Sequence, residues 1–166
     1  MNPHTCPTRS AQRGMMMIEA LMAILIFSLG ILGMVGVNAL AVSSQSDAQY
    51  RTEANKFATQ IINQMWVSVN RSTPATLAAS LDAFKHQETT TGSCNYSGGA
   101  ATDPAVDPWV TSLTAGGSHL PGATVAMQQI QVANTATGQN EVTVTVCWKA
   151  SGDAVARKHV MKSVIN

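Results

Sequence analysis

The chain has 166 residues, of which 45% are apolar and 11% charged, with a formal net charge of +1 and three cysteines. Charge at less than half of the roughly 25% usual in soluble domains, with the two signs almost balanced, excludes a basic surface for nucleic-acid backbones and a polyelectrolyte-like disordered chain. Cys6, Cys94 and Cys147 form no CxxC pair and are too few for a disulfide-framework miniprotein, which also leaves no thiolate site for zinc or redox work.

The first fourteen residues, Met1 to Gly14, carry Arg9 and Arg13 and no acid. They are followed by an apolar run: Ala20 to Val42 reads ALMAILIFSLGILGMVGVNALAV, interrupted only by Ser28 and Asn38, and no charge occurs before Asp47. About 20 such residues cross a hydrocarbon core of about 30 Å as one helix. The flanking arginines hold the leading end in the cytoplasm, so the chain after Val42 is delivered to the other side. Two cleavage readings compete. In one, a secretory signal ends at the small-residue pattern Ala39, Leu40, Ala41. An apolar region of that kind runs about 7 to 15 residues, shorter than this one, and does not explain Glu19. A carboxylate there costs about 2.5–3.5 kcal/mol on insertion scales unless it snorkels to the interface or finds a partner. In the other reading, cleavage after Gly14 leaves a cationic amine on Met15 within reach of a Glu19 carboxylate on the first helical turn or on a neighbouring subunit.

The stretch RGMMMIEALMAILIFSLGILG resembles the class III signal of type IV prepilins and pseudopilins: a basic leader ending in glycine, an apolar residue after the cut, glutamate at the fifth mature position, and an apolar helix. The resemblance implies that a prepilin peptidase cuts between Gly14 and Met15, that Met15 is N-methylated, and that Glu19 guides docking onto the preceding subunit. Two positions depart from the common pattern: Met15 stands where phenylalanine is usual, and Gly36 where many major pilins carry proline. With Gly30 and Gly33, Gly36 permits local stretching or close helix approach, or is ordinary membrane-helix glycine. Loss of the leader removes Arg9, Arg13 and Cys6, leaving eight basic against nine acidic residues and two cysteines. An even count in an exported chain reads as one disulfide, Cys94–Cys147, with two buried thiols as the alternative.

Past the apolar run, Ala54, Phe57, Ala58, Ile61, Ile62, Met65 and Val69 follow helical spacing, with Arg51, Glu53, Lys56, Asn63 and Gln64 on the polar side. An unbroken helix from Met15 to about Asn70 is on the order of 85 Å long. The predicted organisation is a leader at 1–14, a transmembrane or filament-core helix at 15–42, its amphipathic continuation at 43–71 and a head at 72–166. The fold class is α+β: a long N-terminal helix, half transmembrane and half amphipathic, packed on a small antiparallel sheet of about three to four strands.

Within the head, Thr73 and Pro74 read as an N-cap and first turn, and Leu77, Leu81 and Phe84 as a short helix ending near His86. Residues 87–102, rich in Thr, Gly and Ser, read as loop. Asp107 and Pro108 open a helical turn carrying Trp109, Val110 and Leu113, stopped at Gly116 and Gly117. Three strands follow as an antiparallel meander: Val125 to Val132, the alternating Val142, Val144, Val146 and Trp148, and Lys158 to Ile165. Val125 and Met127 are out of phase with Ile130 and Val132, which predicts a bulge near Gln128.

The segments GSCNYSGGAATDPAVDPWVTSLTAG, LPGATV and EVTVTVCWKA resemble the minor pilins of the type IV pilus modification (PilV) group. That resemblance implies a structural and assembly role near a filament tip, with other minor pilins, the major pilin, the inner-membrane assembly machinery and an adhesin-like tip protein as partners. It further implies a single-pass precursor in a bacterial inner membrane with its head in the periplasm, and then an extracellular pilus. A minor pseudopilin of a type II secretion system is the alternative within the fold; a secreted binding module cleaved after Ala41 is the alternative outside it. No enzyme, cofactor or metal is expected. His4, His86, His119 and His159 are scattered, no HExxH, GxSxG or phosphate-loop pattern occurs, and a Cys94 nucleophile with His119 or His159 requires a free thiol. Asp103 and Asp107 each precede a proline and read as helix starts in preference to calcium ligands. Arg157, Lys158 and Lys162 on the closing strand read as a solvated edge, so no DNA contact is predicted.

Overall fold

A computed structural model describes residues 13–115, 120–134 and 139–166. The leader through residue 12, His119 and the expected stop at Gly116 and Gly117 lie outside the described residues. Helix α1 runs from Arg13 to Ser68 without interruption, through Gly30, Gly33 and Gly36. The chain divides into two units within this helix, one up to Ser46 and one from Asp47 to Asn166. The first unit is the apolar stretch; the second contains everything that packs.

In the second unit, α1 buries Ala54, Ala58, Ile61, Ile62, Met65 and Val69, the stripe that helical spacing selects. Helix α2, Pro74–Asp82, starts where expected. Thr73 Oγ1 accepts from Thr76 N at 3.2 Å while Thr76 Oγ1 accepts from Thr73 N at 3.0 Å, a reciprocal capping box with proline at the first helical position. Its last turn tightens through Phe84 N to Leu81 O and Lys85 N to Asp82 O, delivering His86 to the sheet. Helix α3, Val106–Thr114, buries Val106, Trp109, Val110 and Leu113, and Trp109 Nε1 donates to Phe57 O of α1 at 2.9 Å.

Among the described residues there are five strands, in two antiparallel sheets, where a sheet of about three to four strands was expected. A two-stranded hairpin joins β1, Thr89–Gly92, to β2, Asn95–Ser97. The larger sheet has the order β3 (Gln128–Asn134), β4 (Asn140–Trp148), β5 (Arg157–Ile165). The hairpin corrects the reading of residues 87–102 as loop. Thr89, Thr90 and Thr91 are β-branched strand formers, but β1 is exposed throughout, so it shows no apolar alternation by which to find it.

The expected bulge near Gln128 is also absent from the sheet. Val125–Met127 is a 3-10 turn, and pairing of β3 with β4 runs without a register shift from Gln128↔Val146 to Asn134↔Asn140. The phase change in the sequence therefore marks the end of a turn, not an extra residue in a strand. On one face of β4, Val142, Val144, Val146 and Trp148 are fully buried under the helices. The other face is covered only in part: Thr145 and Cys147 are buried, whereas Glu141 and Thr143 are half-buried.

Gly122 and Cys94 are two of the positions with left-handed backbone. Gly122 has φ +62°, and a Cβ there would lie 2.5 Å from Lys149 O, against a turn closed by Lys149 N donating to Pro121 O at 2.9 Å. Cys94, at the tip of the hairpin, adopts φ +56°.

Candidate functional site

From Met16 to Gln45 every residue of α1 is exposed, and in that span Glu19 is the single charge. Met16, Ile18, Leu21, Leu25, Phe27, Leu32, Val37 and Val42 are each at least 59% exposed. Burial of one such side chain is favourable by about 1.5–3 kcal/mol, so leaving the whole stretch in water costs on the order of tens of kcal/mol. This surface requires cover from lipid or from protein. Among the described residues it is the one helix long and apolar enough to cross a membrane.

The polar groups in this stretch divide into two kinds. Ser28 Oγ donates to Ile24 O at 2.7 Å, and Ser46 Oγ to Val42 O at 3.1 Å, so each hydroxyl carries its partner with it. Glu19 has no hydrogen-bond or ion-pair partner among the described residues, and neither has the Asn38 amide. Gly30, Gly33 and Gly36 have nothing within 4 Å of where a Cβ would stand, so nothing within the chain requires them to be glycine. Gly14 and Met15, the predicted cleavage pair, fall in the first turn of α1.

Charge returns at the border of the second unit. Arg157, at the start of β5, pairs with both Asp47 of α1 and Asp153 of the preceding turn, the latter at 2.8 Å, and Asp47 also accepts from Arg51 Nε at 3.0 Å. The hydrogen bond from Arg51 holds the Asp47 carboxyl below its ordinary range, and that from Arg157 does the same for Asp153. In return Asp153 raises the Arg157 guanidinium. Two cations and two anions balance, and solvent screening leaves exposed pairs of this kind little effect on stability. Their effect is on position: residues 110 apart in sequence are pinned where the apolar stretch gives way to the head.

Cys94 and Cys147 are joined, with Cα atoms 5.8 Å apart. The bridge runs from the hairpin tip to the outer face of β4 and is buried with Tyr96, against which Met127 and Ala156 pack. Neither sulfur is a free thiol, so the nucleophile considered at Cys94 has no reactive group; of its supposed partners, His119 lies outside the described residues and His159 lies near Arg51, where burial and that cation depress its imidazole. Asp103 heads a turn just before α3, its Oδ1 accepting from Ala105 N at 2.9 Å, and Asp107 lies in the first turn of α3, which has Ala105 as its N-cap and no side-chain cap hydrogen bond. Among the described residues no three His, Cys, Asp or Glu side chains converge as metal ligands.

Sequence reasoning missed His86. Its backbone exchanges two hydrogen bonds with Ile130, at 3.0 and 2.9 Å, and its ring is buried with neither nitrogen bonded. Burial pushes this imidazole below its ordinary pKa, with Asp107 acting in the opposite sense. A lone histidine at the end of a short helix carries no periodicity that would have shown it. Comparison with family models, with curated proteins and with solved structures finds no match to this chain.

Proposed function

We propose that this protein is a minor type IV pilin of the PilV kind, a structural subunit that takes part in priming pilus assembly near the filament tip. The observation that carries the reading is the bare apolar half of α1, with Glu19 as its one charge, on a head whose own core is already complete. In the precursor, lipid covers the apolar half and the head lies across the inner membrane in the periplasm. After a prepilin peptidase cuts between Gly14 and Met15 and Met15 is N-methylated, apolar halves of neighbouring subunits replace lipid, and Glu19 pairs with a chain-end amine in the filament core. The attraction between that carboxylate and the amine grows as water leaves the core, which selects one register among many apolar ones. Other minor pilins, the major pilin and an adhesin-like tip protein are the partners in this reading.

Two measurements test it. The mature protein should begin at Met15 with a methylated amine; a start at Val42 overturns the reading in favour of an exported binding module. Glu19→Ala should leave the melting of the head unchanged while depleting the subunit from sheared pili at least tenfold. Normal incorporation of that variant removes the docking role. Rescue of piliation, as opposed to secretion, separates a minor pilin from a minor pseudopilin of a type II system.

A further inference from the structure

The larger sheet has two edges, and backbone parity shows that they differ. Ile130 of β3 exchanges both of its backbone bonds with His86, so its N–H and C=O point away from β4. In an antiparallel ladder, pairs that bond each other alternate with pairs that point apart. Hence Gln129↔Thr145 and Gln131↔Thr143 are the bonded pairs between β3 and β4, and Val142, Val144 and Val146 turn their groups towards β5. Their partners Ser163, Met161 and His159 are thereby bonded. The alternate residues of β5, Lys158, Val160, Lys162 and Val164, must direct their N–H and C=O groups to the free edge.

These same four residues carry the exposed side chains of the strand. Val160 and Val164 are 44% and 40% exposed, although both are apolar. Nothing among the described residues pairs with this edge, whereas the opposite edge is occupied at its centre by His86. The edge is nine residues long, straight in register and free of proline or a bulge, the usual devices that protect an open strand. Its one protective feature is charge: Lys158 has no ion-pair partner among the described residues, and Lys162, which pairs with Glu141, keeps a side chain 61% exposed. A second copy of the chain laid antiparallel about Val160 sets Lys158 opposite Lys162, which like-charge repulsion opposes. An acidic strand meets the opposite situation.

We propose that the free edge of β5 is a docking site for an extended strand of another polypeptide, in which acidic and apolar side chains alternate on one face so that the acids meet Lys158 and Lys162 and the apolar groups meet Val160 and Val164. Main-chain bonds to the four outward residues supply affinity, and the Lys–Val alternation supplies selectivity. The inference follows from strand geometry and charge and not from the pilin reading; it holds equally for a pseudopilin or an exported module.

The test uses the full chain in detergent micelles and a nine-residue synthetic peptide with glutamate and valine at alternating outward positions separated by threonines. Residue-resolved amide exchange should show His159, Met161 and Ser163 protected in the free protein, with Val160, Lys162 and Val164 exchanging fast. Addition of the peptide should slow the second set at least tenfold and leave the first unchanged. The double variant K158E/K162E should lose this response and gain one to the same peptide with lysine in place of glutamate. Val160→Pro, which removes an outward N–H without touching the bonds to β4, should lose the response while retaining the native melt. Absence of any slowing, equal slowing by the acidic and basic peptides in the native protein, or prior protection of the outward set that disappears on dilution, and so marks a second copy on the edge, overturns the proposal.

Discussion

Replacing Cys94 and Cys147 together by alanine removes the bridge that ties the hairpin to β4, and the structure sets the size of the effect. The bridge closes a separation of 53 residues. In the chain-entropy account a loop of that length restrains the unfolded state by about 14 cal/mol/K, or about 4 kcal/mol at 25 °C. Both cysteines are replaced because a lone buried thiol adds its own cost. Alanine introduces no fresh backbone strain at position 94, since Cys94 already adopts φ +56°. The head from Asp47 to Asn166 unfolds with an entropy of about 0.25 kcal/mol/K at about 2.1 cal/mol/K per residue, so the loss corresponds to about 16 °C in Tm. The loosening should begin locally. A hairpin of four and three residues is marginal alone, and apart from the bridge it is held by buried Tyr96 and by Gln129 Nε2 and Gln131 Nε2 donating to Gln87 O and Glu88 O at 2.8 and 2.9 Å. Thermal melts of the full chain in detergent, followed by amide exchange of residues 89–97, measure both effects. A Tm within about 4 °C of the native protein refutes the reasoning, because the unfolded chain would then be no less restrained without the bridge.

Two further outcomes follow from buried groups and tight turns. The His86 imidazole titrates below its unfolded value of 6.5, so the unfolded chain binds the proton first and stability should fall as pH drops from about 6.5 towards the folded value, by at most about 1.4 kcal/mol per pH unit per histidine. Urea midpoints at pH 7.5 and 5.5 read this directly; His86→Gln should reduce the difference, and His159→Gln should remove the share of a second depressed imidazole. Gly122→Ala should cost at least about 2 kcal/mol, from left-handed backbone and from a Cβ 2.5 Å from Lys149 O, whereas Gly99→Ala, with nothing within 4 Å, should be near neutral in the same denaturation assay.

The parts of the fold that could be read from the chain are those with a repeating signal. Exclusion of charge from Ala20 to Ser46 identified the apolar helix, the stripe from Ala54 to Val69 identified its packed continuation, and Val142, Val144, Val146 and Trp148 identified the central strand. Thr73 and Pro74 started α2 correctly because a cap is local chemistry, complete within four residues. The hairpin was hidden for the opposite reason: of its seven strand residues only Tyr96 is buried, so its stability comes from a covalent bond to a distant strand and not from a pattern. The pairing of Arg157 with Asp47 across 110 residues was equally invisible, and the basic residues of β5 read as one solvated set.

That set is in fact two different situations, and the difference lies in parity. Arg157 is on the bonded side of the ladder, turned towards α1 and neutralised there by two carboxylates. Lys158 and Lys162 are one step out of phase with it, exposed, with their backbone groups at an edge that no described residue pairs with. A single backbone bridge at the far side of the sheet, His86 to Ile130, together with the register of the two ladders, reveals that phase for all three strands. A slip of one residue would turn His159, Met161 and Ser163 to the free edge, but it would also carry Val142, Val144 and Val146 out of the core, so the buried valines hold the phase. The phase at one edge of the head can therefore be read from a contact at the other, and the sequence alone, which shows the alternation but not the ladder, did not disclose which residues of β5 direct their backbone groups outward.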